Sequence, residues 1–579
     1  MGKEKIMQKK KISILYPDGD IEKFNELPDV TIHDLALDSI TKKLTKEPEE
    51  QQHILRIMSR MSGDPRVTDF RCGVFDDIYH NKEMRKDLMV ILEKINFLRS
   101  YGTFRHDYEE SSSTWDLLHR LEEINDYIEC VEAMSKCLEG VELKSEGLIK
   151  LKEYVDGIYN DNGFIELKKD IKNLRATTKN IKSVTLGINL NSRFEASEIG
   201  VVSINSKAFT KSGIIENFHD KIVTKEGIKQ DNKWNGDYKF TTFDVGDSNT
   251  VTTGGTGSFS GMIAARANPV MAASMANVSN DIQSREVTKY MDKITNRLLV
   301  TIVKKLRSVL TKYVTITITD ITDLIPEFLY YIRWAEYLEA LIEQGNVFNK
   351  AKVVGEGDEC FMDAKGLYNL KLASFQTEEH ENIVTNDLDF TREHLVYILT
   401  GANRGGKTTI TQAVGLLFVL AQGGIYVPCD DFIFAPVDNI YTHFPADEDK
   451  TMDLGRLGEE CKRFKEIYER STKQSLLLLN ETFSTTSFEE GFYIAKDAVK
   501  AIIRKGVRTI YNTHMHKLAY DIDEINADFE YKAASLVVKS DGGNRSYKVE
   551  VAPPQGMSYA MDIAKKYGVT YDMLMELGK

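Results

Sequence analysis

Cysteine is sparse in this 579-residue chain: Cys72, Cys130, Cys137, Cys360, Cys429 and Cys461 are scattered, and no two form a CxxC pair. That pattern excludes a disulfide framework and a structural zinc site. No apolar run reaches the ~18 residues that a membrane helix needs. The opening stretch, MGKEKIMQKKKISILYPDGD, has basic residues but no apolar segment after them, so no secretory signal is read there. Cytoplasmic residence without a membrane partner is the expectation. Positive charge is short too: the formal net charge is −13. This speaks against general coating of nucleic acid, where a basic footprint is usual. A local basic surface facing the phosphates is still compatible with it. No repeat of fixed period is visible.

What is present is an ordinary globular composition, in a chain too long for one hydrophobic core, so three or four domains are expected. Residues 1–33 read as a short preface with one strand at Lys11–Tyr16. From about His33 to Lys182 the pattern is helical. Asp87–Tyr101 and Thr114–Leu138 place apolar residues three and four apart, as amphipathic helices do. The character changes at Val184, where VTLGINL and GVVSI are short β-like pieces between turn residues. Residues 244–261 (DVGDSNTVTTGGTGSFSG) are rich in Gly, Ser and Thr and read as a loop. Helical pattern returns from about Asn277 to Gly345, with Pro326 as a kink or break. From Lys352 strands and helices alternate, the mark of an α/β sheet domain.

The sharpest motif is Gly401-Ala402-Asn403-Arg404-Gly405-Gly406-Lys407-Thr408, which fits G-x-x-x-x-G-K-[ST] without a mismatch. His394–Thr400 before it reads as a buried strand and Thr408–Ala421 after it as a helix. Glycines let backbone N–H groups curl round phosphates, and the helix N-terminus favours negative charge. Lys407 is suited to the β- and γ-phosphates of ATP, and Thr408 to Mg²⁺. Thr409, next to it, is a further nucleotide-binding candidate. About 70 residues on, the apolar run Ser475–Leu479 ends in Asn480-Glu481. An Asp at the first place would help hold the Mg²⁺ water shell; Asn480 brings an acceptor without charge. Glu481 can orient or deprotonate an attacking water. A third strand, Val507–Asn512, ends at Thr513-His514, and a His there can bond a γ-phosphate or its attacking water.

Together these pieces resemble the MutS family of DNA mismatch-repair ATPases. TGANRGGKTT is similar to the family's P-loop, SLLLLNETFSTTSFEEG to its Walker B run, and TIYNTHMHKLA to its switch region. PPQGMSYAMDIAKKYGV resembles its C-terminal helix, Leu35–Gly102 its helical core, and Gly187–Ser206 the start of its clamp. The resemblance implies a multidomain α and α/β fold. It divides as a 1–33 extension, a helical core and lever at 34–183, a β-rich clamp insert at 184–276, returning lever helices at 277–346, and a C-terminal ABC-type P-loop α/β ATPase domain with dimerisation helices at 350–579. It also implies a homodimer through the ATPase domain, with composite ATP sites. The signature segment that completes the partner's site matches Asp453–Glu460, where Leu457-Gly458 replaces the usual Ser-Thr. Gly455, Arg456 and Gly458 are then the candidate trans contacts. The family's adenine-stacking aromatic falls on Ile383, so base packing is expected to be aliphatic.

The family's mismatch reader and connector precede the core and need ~200 residues. Only about 33 residues precede the core here, so a form without them is expected. Phe24-Asn25-Glu26 matches the reader's Phe-x-Glu, but so do Phe164-Ile165-Glu166, Phe464-Lys465-Glu466 and Phe488-Glu489-Glu490, so the tripeptide carries no weight. If the insert meets double-stranded DNA, Lys207, Lys211, Lys225, Lys229, Lys233 and Lys239 are the candidates. Such contacts position a protein on phosphates more than they read bases. The functional expectation is an ATP-hydrolysing, nucleoid-associated DNA clamp in mismatch repair or recombination control. The alternatives are an ATP-binding scaffold that does not hydrolyse, and another ABC-type DNA-maintenance ATPase, against which the absence of a long heptad array counts.

Overall fold

A computed structural model of the chain describes residues 12–17, 24–101, 114–178, 183–190, 192, 196–205, 304, 308–309, 324–354, 361–373, 383–401, 406–445, 456–541, 544–554 and 567–577. The first elements are β1 (Asn25–Glu26), α1 (Asp29–Asp34), α2 (Leu37–Leu44), α3 (Pro48–Met58), β2 (Arg60–Met61), α4 (Pro65–His80) and α5 (Lys82–Tyr101). Then come α6 (Thr114–Leu138), α7 (Glu146–Tyr159), α8 (Asn162–Thr178), β3 (Ser183–Leu190) and β4 (Ala196–Asn205). The C-terminal half begins with α9 (Ile325–Glu343), β5 (Lys352–Val353), β6 (Met362–Leu367), α10 (Leu370–Ala373), β7 (Asn386–Phe390), β8 (Val396–Thr400), α11 (Lys407–Gln422), β9 (Asp431–Phe434) and β10 (Ile440–His443). It continues through α12 (Arg456–Arg470), β11 (Leu476–Asn480), α13 (Phe488–Lys505), β12 (Arg508–Asn512), α14 (His516–Tyr520), α15 (Ile522–Asn526), β13 (Ala533–Asp541), β14 (Asn544–Val551) and α16 (Tyr571–Leu577).

The chain divides into two compact units: residues 1–88, 140–153 and 320–579, and residues 89–139 and 154–319. In the first, the described residues form a six-stranded sheet in the order β10-β11-β12-β8-β13-β14. Every pairing is parallel except β13 with the edge strand β14. Parallel strands need crossovers that cover both faces, so their sequences run apolar without alternation. The runs 396–400 and 476–480 are accordingly buried at every position. Leu477 and Leu479 face a core shared with Phe492, Ala495, Val499, Ile502 and Ile503 of α13. Leu478 faces the other way, toward Gly415 of α11, where an added Cβ would lie 2.7 Å from its side chain. A smaller sheet, in the order β5-β9-β6-β7, lies within the same unit.

The N-terminal helices pack onto this domain. Arg71 of α4, 1% exposed, donates to the carbonyls of Leu15 and Gln422. Tyr330 of α9 donates to Gly423 O at 3.0 Å. Pro326 lies in the first turn of α9, where its missing N–H costs nothing, so it starts the helix rather than kinking it. The strand expected at Lys11–Tyr16 does not form over the described part, Ile12–Tyr16. The Ser13 hydroxyl accepts from the N–H of Leu15 and of Tyr16, and Ile14 N–H donates to Glu327. Side chains thus take the donors that a strand would give to a neighbour.

In the second unit, Leu121, Ile124, Ile128, Val131 and Leu138 of α6 are buried at helical spacing, as are Phe164, Leu167, Ile171 and Leu174 of α8. Arg175 ties the two helices by donating to Asn125 Oδ1 at 2.8 Å. β3 and β4 form an antiparallel pair that contains both β-like pieces read from the sequence. The expected loop at 244–261 and the clamp lysines Lys207, Lys211, Lys225, Lys229, Lys233 and Lys239 lie outside the described residues, as does most of the returning arm before α9.

Candidate functional site

Five of the sequence-derived candidates meet at the C-terminal ends of β8, β11 and β12, where the register sets Asn480 opposite Asn512 and Asn512 opposite Leu399. Open α/β sheets bind ligands at these strand ends. β8 runs into Gly401, whose φ is +141°. Ala402, Asn403, Arg404 and Gly405 lie outside the described residues. The chain re-enters at Gly406, in the left-handed region at φ +91°, as the N-cap of α11. Only glycine adopts that conformation without strain.

Lys407 opens α11 and is 6% exposed. Its ammonium donates to Gly401 O at 2.9 Å, across the loop that it closes. Burial pulls its pKa below the usual lysine value, and the charge of Glu481 opposes that shift. Thr408 is exposed and donates to Asn480 Oδ1 at 3.4 Å; Thr409 is half-buried, and its carbonyl accepts from Asn369. Asn480, 7% exposed, also accepts from Asn512 Nδ2. Two buried oxygens at the same strand ends, Thr400 Oγ1 and Asn512 Oδ1, have no partner among the described residues.

Glu481 follows Asn480 in the left-handed region, at φ +54°. Its N–H donates to Asn512 O at 2.8 Å, and its carboxylate accepts from His514 Nε2–H at 2.8 Å. Acid and imidazole from two adjacent strand ends thus face each other, each about a third to two-fifths exposed (35% and 41%). His516 lies beyond them; burial lowers its pKa, and Lys407 and His514 add to the shift.

Ile383 is half-buried. Arg456 opens α12 and Gly458 sits in its first turn; Gly455 is outside the described residues. Phe24 is engaged inside its own unit, edge-on to Tyr16 at 4.8 Å and beneath the Arg71 guanidinium.

Sequence reasoning missed three neighbours. Asn512 was visible as the last residue of a strand paired in register with Asn480, a pairing that needs the sheet order to be known. Tyr547, 45% exposed and at φ +56°, has its ring 3.4 Å from where a Cβ on Gly406 would stand. It arrives from β14, far downstream of Gly406 in the chain, with no local signal. Glu460, read from the sequence only as the end of the Asp453–Glu460 segment, lies in α12 and accepts from Thr485 in the segment after Glu481, a contact the sequence did not signal.

Residues 397–576 match the family model described as MutS domain V. Endonuclease MutS2 of Caldicellulosiruptor bescii is 30% identical over 260 residues, covering 43% of this chain and 31% of that protein. The DNA mismatch repair protein MutS of Staphylococcus saprophyticus is 25% identical over 212 residues, 33% of this chain and 24% of that protein. That of Thermotoga petrophila is 29% identical over 191 residues, 33% and 24% respectively. The matched part therefore spans less than a third of each of these relatives. Among the described residues, no helix is long and apolar enough to cross a membrane. Over residues 397–576 the chain is thus similar to MutS domain V, and part of it is similar to MutS and MutS2 proteins.

Proposed function

We propose that the chain is an ATP-hydrolysing, DNA-binding protein of the MutS type that works as a homodimer in mismatch repair or recombination control. The observation that carries this reading is the meeting of Lys407, Thr408, Asn480, Glu481 and His514 at three adjacent strand ends. Lys407 binds the β- and γ-phosphates together with Gly401, Ala402, Asn403, Arg404, Gly405, Gly406 and Thr409 of the P-loop. Its ammonium now bonds Gly401 O, a neutral acceptor that a phosphate oxygen outcompetes by charge.

The donor set fits Mg²⁺: a hydroxyl (Thr408), an amide oxygen (Asn480) and a carboxylate (Glu481), with the partnerless oxygens of Thr400 and Asn512 beside them. Hard cations take such oxygen ligands. Mg²⁺, when bound, neutralises phosphate charge and orients the group under attack. Glu481 orients the attacking water and accepts its proton, and His514 holds that carboxylate from the opposite side. Ile383 and Tyr547 supply the faces for the base. Arg456 and the free N–H groups in the first turn of α12, near Gly455 and Gly458, reach the γ-phosphate of the partner's site. The helices at 34–183 and 277–346 act as core and lever, and the insert at 184–276 carries the lysines that meet duplex DNA.

ATP turnover with and without duplex DNA tests this, with Glu481→Gln as control. Slow turnover that DNA alters, and its loss in Glu481→Gln with nucleotide still bound, is the expected result. A second reading, a scaffold that binds ATP without hydrolysis, is favoured by Asn480 and by Leu457-Gly458. It prevails if wild type and Glu481→Gln bind Mg·ATP equally and neither turns it over.

A further inference from the structure

The helix that opens with the signature residues also grips the segment that follows Glu481 in its own chain. Glu460, one turn into α12, accepts from the Thr485 hydroxyl at 3.1 Å; burial raises its pKa, and the neighbouring Thr485 and Phe483 backbone opposes that shift. Phe464, one turn further on the same face, lies edge-on to Phe483 with ring centroids 5.3 Å apart. Arg463 anchors the helix by donating to the carbonyls of Thr442 and Phe444 at the end of β10.

The segment held this way is strained. Glu481 and Phe483 are both in the left-handed region, at φ +54° and +65°, where non-glycine residues sit only when their surroundings over-determine them. Phe483 is buried, its carbonyl pressed to Gly491, where an added Cβ would stand 2.6 Å away. Thr482 O accepts from Tyr511 at 2.9 Å, and the Thr482 hydroxyl lies 3.1 Å from His443 Nδ1. Glu460 supplies the one carboxylate in this set of contacts. A hydrogen bond accepted by a carboxylate, as from the Thr485 hydroxyl, is about twice as strong as a neutral one.

We propose that Glu460 is a positioning residue for Glu481: by bonding the Phe483–Thr485 turn it fixes the backbone that aims the Glu481 carboxylate at His514, and so joins the signature helix to the catalytic acid of the same chain. A shift of the start of α12 on contact with the partner's nucleotide is then passed one helical turn to Glu460 and on to Glu481. This rests on the ATPase reading above, with Glu481 as the acid that activates water.

The test is single-turnover ATP hydrolysis by the full chain, with Mg·ATP affinity measured separately, for Glu460→Ala, Thr485→Val, Thr485→Ser and Glu481→Gln. Misplacing a catalytic group by ~1 Å costs up to about a hundredfold in rate. Glu460→Ala should therefore slow hydrolysis about ten- to a hundredfold with affinity held within about twofold. Thr485→Val should slow it less, and Thr485→Ser should keep the wild-type rate. Adding Glu460→Ala to Glu481→Gln should slow nothing further, because the effect acts through that carboxylate. A general loss of structure would instead lower affinity and remain in the double variant. If Glu481→Gln hydrolyses as fast as wild type, the ATPase assignment of Glu481 fails. If Glu481→Gln is slow while Glu460→Ala and Thr485→Val match the wild type, this inference alone fails. Thr485 is exposed, so its variants keep the inference open to refutation even if Glu460→Ala does not fold.

Discussion

Replacing Lys407 with Met separates nucleotide binding from folding, because the structure gives the two effects opposite signs. Lys407 is 6% exposed as a residue, and burial lowers its pKa. Between that lowered value and the ordinary lysine value of 10.5 the unfolded chain binds more protons than the folded one. In the nucleotide-free protein the lysine therefore destabilises the fold at neutral pH, and stability rises as pH climbs through that window. Met keeps the length and apolar stem without the charge. Lys407→Met should leave the nucleotide-free protein as stable as wild type or more so, with the gain shrinking toward high pH.

With nucleotide the sign reverses. A hydrogen bond to a charged group is worth about 1.5–3 kcal/mol, so losing one net contact to the phosphates weakens binding by roughly a hundredfold. At ligand one hundred times the wild-type Kd, binding stabilises the native state by about 2.7 kcal/mol; at a Kd a hundredfold weaker the same concentration gives only about 0.4 kcal/mol. Thermal melts with and without Mg·ATP, at a concentration set from the wild-type Kd, read this directly. The nucleotide-dependent rise in Tm should nearly vanish while the nucleotide-free Tm holds. A full nucleotide-dependent rise in Lys407→Met would refute the phosphate-binding assignment. A collapse of the nucleotide-free melt would refute the account of its burial.

Asn480→Asp adds a carboxylate where Thr408 and Asn512 now donate, and should shift the Mg²⁺ titration of hydrolysis to lower concentration; an unmoved titration would place Asn480 outside the metal's reach. His443, 3% exposed, has its pKa lowered from 6.5 to about 4, first by burial and then by Arg463. Its neutral form is required in the fold, so the protein should lose up to about 3 kcal/mol as pH falls from 6.5 toward 4, a loss absent in His443→Gln and read from urea melts across that range. Binding to duplex DNA should weaken steeply with salt, because each neutralised phosphate releases counterions. A perfect and a G·T-mismatched duplex should compete within about tenfold, or ~1.4 kcal/mol; a larger preference would reveal a mismatch-reading element.

The strands and helices on either side of the 401–408 motif were legible in the sequence because buried parallel strands leave an unbroken apolar signature. HLVYILT, SLLLL and VRTIYN are runs of that kind, and each ends in the polar residues that the sheet then sets side by side. Lys407, Thr408, Glu481 and His514 could be singled out for the same reason: a motif tied to a strand end needs only local order. The Lys11–Tyr16 segment misled because its apolar residues satisfy a strand pattern, while its backbone donors are taken by Ser13 and by Glu327, more than 300 residues away. Sheet order was likewise beyond local reading. Only the tertiary structure puts β12 between β8 and β11, so that Asn512 bonds Asn480 and His514 meets Glu481. It alone brings Tyr547 to Gly406 and Glu460 to Thr485. Those contacts join residues far apart in the chain, and neither periodicity nor motif spacing encodes which distant surfaces will share a core.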